Sequence, residues 1–512
     1  MNGRSEQADG PAAPPAGVVG RSPRLNILLV ASEVAPWSKT GGLGDVAGAL
    51  PGALESLGHN LTVVTPFYRG AQPPAGRREP RAIAVGGRTF DVICHTAALS
   101  DRLRVVFIES ETLYGRDGYY GTAEGDYPDN AVRFAVLATA ALDHVAAGAT
   151  PPDVVHAHDW QAGLVPTLLA AHPGRWPTVE PAGRVFTIHN LAYQGTFPRD
   201  TVTDLGLPWR VFGLDGGEFW GQFSFLKAGI NYSDYVTTVS PTYARETLGI
   251  EHGAGLHGVL AAKRWRYSGI LNGIDTELWN PATDRWLPAP FDADDLSGKR
   301  ECKRALLGRF GLAVGDDALD RPLVGVVSRL VAQKGIDLML EAGERLLELD
   351  ASWTVLGTGD PQFEAALEHL AGRAPSRVGV RIGFDEGLAH LVEAGADMFL
   401  MPSRFEPCGL NQMYGLRYGT VPVVRAVGGL DDTIRPYTSR ARRPNGFKFR
   451  QGTSEALVQT LRQAVRLYRD REVWHRIMMQ GMAEDHSWAR SAREYVKVYR
   501  RARYDAASRV TR

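Results

Sequence analysis

The residues of this chain that could do chemistry follow short apolar runs, and the first set is a glycine-rich segment. Lys-Thr-Gly-Gly-Leu-Gly-Asp-Val at residues 39–46 comes soon after the apolar run Leu25–Val30. Gly41 and Gly42 leave the backbone bare, so its N–H groups can approach an anion, and the helix that follows would point its partly positive N-terminus there. Lys39 adds a full charge. The segment predicts a phosphate-binding turn, although a strand-to-helix turn without a ligand has the same composition.

Histidines and an asparagine follow two later apolar runs. His156-Ala157-His158-Asp159 comes after one run, and His189-Asn190 comes after the next. Because the carboxyl ends of parallel strands meet at one edge of a sheet, we expect these side chains to gather beside the glycine-rich turn. The alternation of His156, His158 and Asp159 is also compatible with a metal site, but such a site needs further protein ligands and the nearby sequence supplies none.

The second half of the chain offers cations and a carboxylate at equivalent positions. Arg329 and Lys334 follow one apolar run, and Glu406 follows another, with Cys408-Gly409-Leu410 directly behind it. Taken alone, the two cations could be a solvated pair on a loop, and Glu406 could cap the helix that follows it. Cys408 is better explained as a small residue than as a nucleophile, because no histidine stands near it in the sequence to activate it.

The elements that must position these residues are alternating strands and helices. Two strand series are separated by an irregular region near residues 265–300 that is rich in Pro and Asp. Two consecutive series of this kind predict an α/β protein with two doubly wound domains facing across a cleft. The predicted strands are Leu25–Val30, Leu61–Thr65, Arg104–Ile108, Val154–His156, Val185–Ile188 and Tyr235–Val239 in the first series, and Leu323–Val327, Trp353–Leu356, Val378–Ile382, Met398–Met401 and Val421–Val424 in the second.

Length and composition exclude several classes of protein. A chain of 512 residues is too long for one core. The 57 Lys and Arg residues balance the 57 Asp and Glu residues, which argues against a partner such as nucleic acid or an anionic membrane. Three scattered cysteines indicate reduced thiols and a cytoplasmic protein. No apolar run is long enough to span a membrane, and residues 1–24 lack a secretory signal and are predicted to be a disordered arm.

Taken together and in order, these motifs resemble the bacterial glycogen synthases and their plant relatives, the starch synthases. The resemblance runs from about residue 25 to about residue 500. The segments that carry it are Lys-Thr-Gly-Gly-Leu-Gly-Asp-Val, His-Ala-His-Asp-Trp, Thr-Ile-His-Asn-Leu-Ala-Tyr-Gln-Gly, Thr-Val-Ser-Pro-Thr-Tyr-Ala, Leu-Asn-Gly-Ile-Asp and Arg-Phe-Glu-Pro-Cys-Gly-Leu.

The resemblance implies a GT-B glycosyltransferase fold and a retaining transfer of glucose from ADP-glucose to the non-reducing end of an α-1,4-glucan. No metal and no cofactor are implied. The implied domains are an N-terminal one at residues 25–265, a nucleotide-sugar domain at residues 266–486, and a C-terminal helix at 487–512 that crosses back to the first domain. The oligomeric state stays open.

The resemblance also implies a role for each candidate residue. Lys39, Gly41 and Gly42 would contact the donor diphosphate and sugar, and His158 would face the donor glucose. Arg329 and Lys334 would neutralise the departing diphosphate, and Glu406 would hold sugar hydroxyls. The remaining implied contacts are Asn190 and Asn272 on the donor side, the backbone of Cys408, Gly409 and Leu410 beside them, and Asp129 on the acceptor side.

Some positions depart from the pattern of related transferases. Tyr414 stands where many two-domain retaining transferases carry a second glutamate, so Glu406 alone is available for the carboxylate role. Asn411 and Val427 stand where Thr is usual, and both bear on the choice of donor nucleotide. UDP-glucose therefore remains an alternative donor. A non-catalytic sugar-nucleotide sensor and a metal-dependent hydrolase built on the histidines are the alternatives from other classes.

Overall fold

The structure is a computed structural model that describes residues 23–510. Residues 1–22 of the predicted N-terminal arm lie outside the described residues. No helix in the described part of the chain is long and apolar enough to cross a membrane.

The first domain is built around a large sheet whose central strands are buried on both faces. Its elements begin with β1, the apolar run Asn-Ile-Leu-Leu-Val, and include the long helix α3 (Asn130–Ala146). The strands are β1 (Asn26–Val30), β2 (Asn60–Pro66), β3 (Arg77–Val85), β4 (Arg88–Ala98), β5 (Leu103–Glu109), β6 (Gly121–Thr122), β7 (Gly125–Asp126), β8 (Val154–His158), β9 (Gly183–Ile188), β10 (Thr196–Pro198), β11 (Glu218–Phe219), β12 (Gln222–Ser224), β13 (Tyr235–Thr238) and β14 (Tyr267–Gly269). The helices are α1 (Gly42–Ser56), α2 (Glu111–Tyr114), α3 (Asn130–Ala146), α4 (Asp159–Ala162), α5 (Leu164–Ala171), α6 (Thr201–Asp204), α7 (Phe225–Tyr232), α8 (Pro241–Glu246) and α9 (His257–Ala262).

The strand order of the first sheet fixes where a ligand can bind. Within residues 23–510 its order is β14-β13-β9-β8-β1-β2-β5-β4-β3. The chain winds outward in both directions from the adjacent parallel strands β1 and β8, which pair Leu28 with Val155. A crevice opens at such a switch point, beyond the carboxyl ends of the two strands. Lys39 follows β1 and His158 ends β8, so the predicted site residues of this domain flank that crevice.

The second domain has a smaller parallel sheet. In the described chain its order is β17-β16-β15-β18-β19-β20, so the switch point lies between β15 and β18. Arg329 follows β15 and Glu406 follows β18, which places them on either side of this second crevice. The strands are β15 (Leu323–Val327), β16 (Ser352–Gly357), β17 (Val378–Ile382), β18 (Met398–Met401), β19 (Val421–Arg425) and β20 (Phe447–Phe449). The helices are α10 (Ser297–Arg309), α11 (Asp316–Asp320), α12 (Ile336–Leu347), α13 (Pro361–Arg373), α14 (Glu386–Gly395), α15 (Asn411–Arg417), α16 (Gly428–Thr433), α17 (Ser454–Tyr468) and α18 (Arg471–Met482).

The last helix, α19 (Trp488–Val510), begins beside the second domain and packs on the first. Tyr495, Tyr499 and Ala502 of this helix are buried in the same core cluster as β1 and α1. Where the chain returns, Ile274 donates its N–H to the carbonyl of His486 at 2.8 Å, so the outgoing and returning segments are hydrogen-bonded to each other.

The predicted α/β architecture of two doubly wound domains is confirmed, with differences at its edges. The predicted strand Val154–His156 extends to His158, and the antiparallel pair β3 and β4 was not predicted. The predicted domain boundary at residues 265 and 266 precedes β14, which nonetheless hydrogen-bonds to β13 of the first sheet. We therefore place the change of domain after Gly269. Three single-turn 3-10 helices lie at Trp209–Val211, Arg264–Arg266 and Ala332–Lys334 within the described chain.

Candidate active site

The glycine-rich turn presents bare backbone at the N-terminus of α1. Gly41 precedes the first residue of the helix, and no side chain caps that end. A Cβ added to Gly41 or Gly42 would meet nothing within 4 Å, so both glycines border open space. By contrast, a Cβ on Gly44 would lie 3.0 Å from the carbonyl oxygen of Ser38, so this third glycine serves close packing. Gly41 and Gly42 are therefore the positions of the turn at which an anion could approach the helix N-terminus.

Lys39 lies at the same turn, but its charge is shared. Its Nζ is 2.7 Å from Oδ1 of Asp45, and half of the lysine side chain is exposed. Burial raises the pKa of Asp45, and Lys39 opposes that shift. Asp45 also lies near Tyr414 of the second domain. Burial raises the pKa of Tyr414 well above its usual range, and the negative charge of Asp45 adds to that shift. The glycine-rich turn thus lies opposite α15.

A buried carboxylate that sequence reasoning missed holds the turn in place. Glu33, which is 3% exposed, accepts hydrogen bonds from the backbone N–H of Thr40 at 2.5 Å and from its hydroxyl at 2.7 Å. The hydroxyl of Tyr120 donates to the same carboxylate at 2.5 Å. Because Glu33 ties the loop before Gly41 to the end of β1, it fixes the direction of the helix N-terminus. Its position three residues after a buried strand was the available signal.

The histidine expected to face the donor is buried against another histidine. The side chain of His158 is 0% exposed, and its Nδ1 is 2.9 Å from Nε2 of His189, which is 8% exposed. The Nε2 of His158 has no hydrogen-bond partner among the described residues, so it could bond to a ligand, and its contact with the donor sugar stays a prediction. Burial lowers the pKa of His158 well below its usual range and that of His189 to about 3, so both rings are neutral.

Asp159 is a second residue that the sequence prediction left out of the site. Its φ is +56°, an uncommon value for a residue that is not glycine, and such outliers are concentrated at functional sites. Its Oδ1 accepts the backbone N–H of His189 at 2.7 Å. Burial raises its pKa to about 7, and the charge of Glu33 adds to that shift. Asp159 therefore connects the ends of β8 and β9 and lies near the carboxylate that holds the glycine-rich turn.

His156, which was considered for a metal site, is part of the core. Its Nδ1 is 2.9 Å from the hydroxyl of Tyr499, and its Nε2 is 2.6 Å from Oγ1 of Thr187, so both nitrogens have partners. Burial lowers its pKa to about 3. Among the described residues, no group of three or more His, Cys, Asp or Glu is arranged to hold a metal ion.

Three further candidates, Asn190, Asn272 and Asp129, differ in their surroundings. Asn190 accepts the N–H of Ala192 at 3.1 Å and is partly exposed at the end of β9. Asn272 is 6% exposed, and its Oδ1 has no hydrogen-bond partner among the described residues, so it could accept a bond from a ligand. Asp129 binds both terminal nitrogens of Arg116, at 2.7 and 2.6 Å. Burial opposes ionisation of Asp129, but Arg116 outweighs it and lowers the pKa of Asp129.

In the second domain, Lys334 and Glu406 form a largely buried ion pair across the switch point. Nζ of Lys334 is 2.6 Å from Oε2 of Glu406, and the two side chains are 19% and 7% exposed. The hydroxyl of Ser403 donates to the same oxygen at 3.0 Å. Helix α15 begins at Asn411, with Leu410 at its N-cap position, so the alternative in which Glu406 caps this helix is wrong.

Arg329 extends from the end of β15 toward the first domain. Its guanidinium is exposed and lies 3.5 Å from the hydroxyl of Tyr193 and 3.3 Å from Oε1 of Gln333. Tyr193 belongs to the loop that follows β9, so Arg329 reaches across the cleft. The described chain shows no acidic partner for Arg329, whereas Lys334 has one. Arg329 is therefore an exposed cation, as the alternative of a solvated loop expected, whereas Lys334 is held in an ion pair and is largely buried.

Cys408, Gly409 and Leu410 lie at the base of the cleft. Burial raises the pKa of Cys408 to about 12, so the thiol is not a nucleophile at neutral pH. Gly409 has a φ of +72°, which an L side chain adopts only with strain. The side chain of Gln412 donates to the carbonyls of Cys408 and Gly409 at 3.1 and 3.0 Å and holds this turn beside Glu406.

Two contacts clamp the domains beside the cleft. The backbone N–H and the hydroxyl of Thr242 donate to Asp432 at 2.8 and 2.6 Å. The N–H of Gly428 donates to the carboxylate of Glu246 at 3.0 and 3.1 Å from its two oxygens. These contacts join α8 of the first domain to α16 of the second. Within residues 23–510, no hydrogen bond or ion pair joins His158 to Lys334 or Glu406.

This geometry agrees with the comparisons to known proteins. The starch synthase catalytic domain family matches residues 26–262, and the glycosyl transferases group 1 family matches residues 314–477. A glycogen synthase of Anaeromyxobacter sp. (strain Fw109-5) is 52% identical over 93% of this chain and 99% of its own length. The chain belongs to the glycogen and starch synthase family. A glycogen synthase of Myxococcus xanthus (strain DK1622) is 50% identical over the same shares of the two chains.

Solved structures of this family and beyond it show the same fold. The catalytic domain of starch synthase IV from Arabidopsis thaliana, bound to ADP and acarbose, has a TM-score of 0.86 and 34% identity, covering 94% of this chain and 100% of that one. A sucrose-phosphate synthase from Thermosynechococcus elongatus has a TM-score of 0.58 and 18% identity, covering 93% and 98%. The second likeness concerns the fold alone.

Proposed function

We propose that this glucan-elongating glucosyltransferase uses ADP-glucose as its donor and retains the anomeric configuration. The observation that supports this proposal most strongly is that the switch points of the two sheets face each other across one cleft. One carries the glycine-rich turn, and the other carries Arg329 and the Lys334–Glu406 pair. ADP in the starch synthase IV structure is consistent with the same nucleotide here. The acceptor is the non-reducing end of an α-1,4-glucan.

The cations act on the leaving group. Cleavage of the bond between the donor glucose and the diphosphate leaves negative charge on ADP, and preorganised cations stabilise that charge in the transition state. Arg329 and Lys334 would contact the diphosphate from one wall. Lys39 and the N–H groups at Gly41 and Gly42 would contact the donor from the other. Since neither wall alone completes this set, closure of the domains assembles the site.

The glucose itself is held by polar groups from both walls. Glu406 would bind sugar hydroxyls, with its position set by Lys334 and Ser403. The first-domain contact would come from His158, because its Nε2 has no hydrogen-bond partner among the described residues. His189, whose Nε2 is 2.9 Å from Nδ1 of His158, is then a positioning residue. The acceptor hydroxyl attacks the anomeric carbon on the face that the diphosphate leaves, and the departing phosphate takes the hydroxyl proton. Asp129, held by Arg116, remains the proposed acceptor-side carboxylate.

The defining experiment is incubation with glycogen and either ADP-glucose or UDP-glucose in the presence of EDTA. Release of ADP with growth of the glucan is expected, and UDP release should be much slower. Preferential UDP release would overturn the donor assignment. An activity that EDTA removes and Mg²⁺ restores would overturn the proposal that protein cations alone neutralise the leaving group.

The residue roles are tested by Lys39→Ala and Glu406→Ala. Each should lower kcat/KM by about 100-fold or more, as expected for lost electrostatic stabilisation. Lys497→Ala is a matched control, because Lys497 is 69% exposed and pairs only with Glu494 of its own helix among the described residues. Near-normal synthesis by either site variant would contradict its role. We also propose a cytoplasmic location, where the three buried free cysteines would stay reduced.

A further inference from the structure

A basic cavity lies where the chain returns from the second domain to the first, and we call it the arginine pocket. Its volume is about 920 Å³. Its charged lining consists of Arg435, Arg442, Arg443 and Arg490 together with Glu484, Asp485 and His486. None of these residues belongs to the candidate active site, so the pocket is a separate feature of the molecule.

The loop that carries three of the arginines is fastened at its base. Asn445 is 0% exposed, and its side chain accepts the N–H of Arg435 at 2.6 Å and donates to the carbonyl of Thr433 at 3.0 Å and to Glu484 at 2.8 Å. The N–H of Tyr437 donates to the carbonyl of Gly446 at 2.8 Å. These bonds hold residues 435–445 as a closed loop against the returning segment, so its guanidinium groups are presented from a fixed base.

The charges of the pocket do not balance. Arg435 pairs with Glu484, and its Nε donates to the carbonyl of Arg443 at 2.8 Å. Arg442, Arg443 and Arg490 have no ion-pair partner in the described part of the chain. Four arginines against two carboxylates leave two positive charges at neutral pH. Like charges held close together repel, and an anion that bridges them would relieve that repulsion.

We propose that the arginine pocket binds the phosphate group of a small sugar phosphate. A phosphate monoester carries about 1.5 to 2 negative charges at neutral pH, which matches the excess in the pocket. The planar fork of an arginine suits phosphate oxygens, and cavities of roughly 300–1,000 Å³ enclose small molecules. A nucleic acid is disfavoured because the whole chain has no net positive charge.

The pocket spans both domains. Arg490 stands in the first turn of α19, which packs on the first sheet, whereas Arg442 and Arg443 belong to the second domain. A sugar phosphate bound there would contact groups that move with different domains. The site is independent of the proposed donor, because the donor contacts lie at the two switch points.

The test is calorimetric titration of fructose 6-phosphate into protein saturated with ADP, which blocks the cleft. Binding with a Kd of about 1 mM or below is expected, and fructose should not bind. The variant Arg442→Ser/Arg443→Ser should bind at least about tenfold more weakly, since it loses two charge-assisted contacts. The control Arg462→Ser/Arg466→Ser, on the exposed face of α17, removes the same charge and should bind as the unaltered protein does.

Three results would overturn the proposal. One is the absence of binding up to about 10 mM fructose 6-phosphate, and another is equal affinity of the pocket variant and the control. The third is inorganic phosphate binding as tightly as fructose 6-phosphate, which would exclude recognition of a sugar phosphate. Because the pocket variant and its control are altered only outside the cleft, their comparison is decided separately from the donor assignment.

Discussion

Replacing Lys334 with Met should destabilise the second domain as well as abolish synthesis. The ammonium is 2.6 Å from Glu406, and the two side chains are 19% and 7% exposed. Removing one partner of a buried pair costs about 3–5 kcal/mol, because the other charge stays buried without a counter-charge. Ser403 would still donate to Glu406, and partial exposure of the site lets water approach. We therefore expect a loss of about 2–3 kcal/mol in the free energy of unfolding.

A double-mutant cycle isolates the pair. Glu406→Gln removes the negative charge, so in Lys334→Met/Glu406→Gln no charge remains buried alone. The double variant should lose less stability than the sum of the single losses, by about 1 kcal/mol or more. Arg329→Met is the matched control, since Arg329 is exposed and its contacts at 3.3 and 3.5 Å are long. It should change stability by less than about 0.5 kcal/mol while still impairing synthesis.

Urea unfolding followed by tryptophan fluorescence measures these differences, with the midpoint and the slope determined for each variant. Glucan synthesis is measured on the same samples. If Lys334→Met is as stable as Arg329→Met, or if the two single losses add in the double variant, the argument that Lys334 and Glu406 form one electrostatic unit is refuted.

Further predictions concern backbone and buried charge. Gly41→Ala should raise KM for the donor about tenfold at unchanged Tm, because its Cβ would fill space that the ligand needs. Gly335→Ala should instead lower Tm, because the φ of Gly335 is +73° and the added Cβ would collide with the carbonyl of Pro402. For Asp159, burial raises the pKa from 3.8 to about 7, so the folded state binds the proton more tightly and stability falls as pH rises through this range. Asp159→Asn should flatten that fall when Tm is measured from pH 4 to pH 8, and an unchanged profile would count against it. For Lys299, burial lowers the pKa from 10.5 to about 8, so stability rises with pH between these values, and Lys299→Met should remove that rise in urea midpoints.

Sequence reasoning located the crevices because apolar runs buried on both faces identify parallel strands, and polar residues after such runs identify their carboxyl ends. It could not show that His158 and His189 are both buried and bonded to each other. His158 is the last residue of β8, and the turn of its backbone toward α4 depends on the φ of +56° at Asp159. The carboxylate of Asp159 also accepts the N–H of His189, a contact between the ends of two strands that no local pattern reveals. Glu33 had a local signal, its position three residues after β1, but its bond to Tyr120 joins residues far apart in the sequence.

The pairing of the lysines changes how the cleft attracts its donor. Lys39 is held by Asp45 and Lys334 by Glu406, so each pair is close to neutral when seen from a distance. Arg329 has no acidic partner in the described chain, and the N-terminus of α1 has no side-chain cap. The long-range attraction for a diphosphate therefore comes mainly from Arg329 and that helix end, while the paired lysines act at short range, where charge develops on the leaving group. On this reasoning, loss of Arg329 should raise KM and weaken its dependence on salt, and loss of Lys334 should act chiefly on kcat.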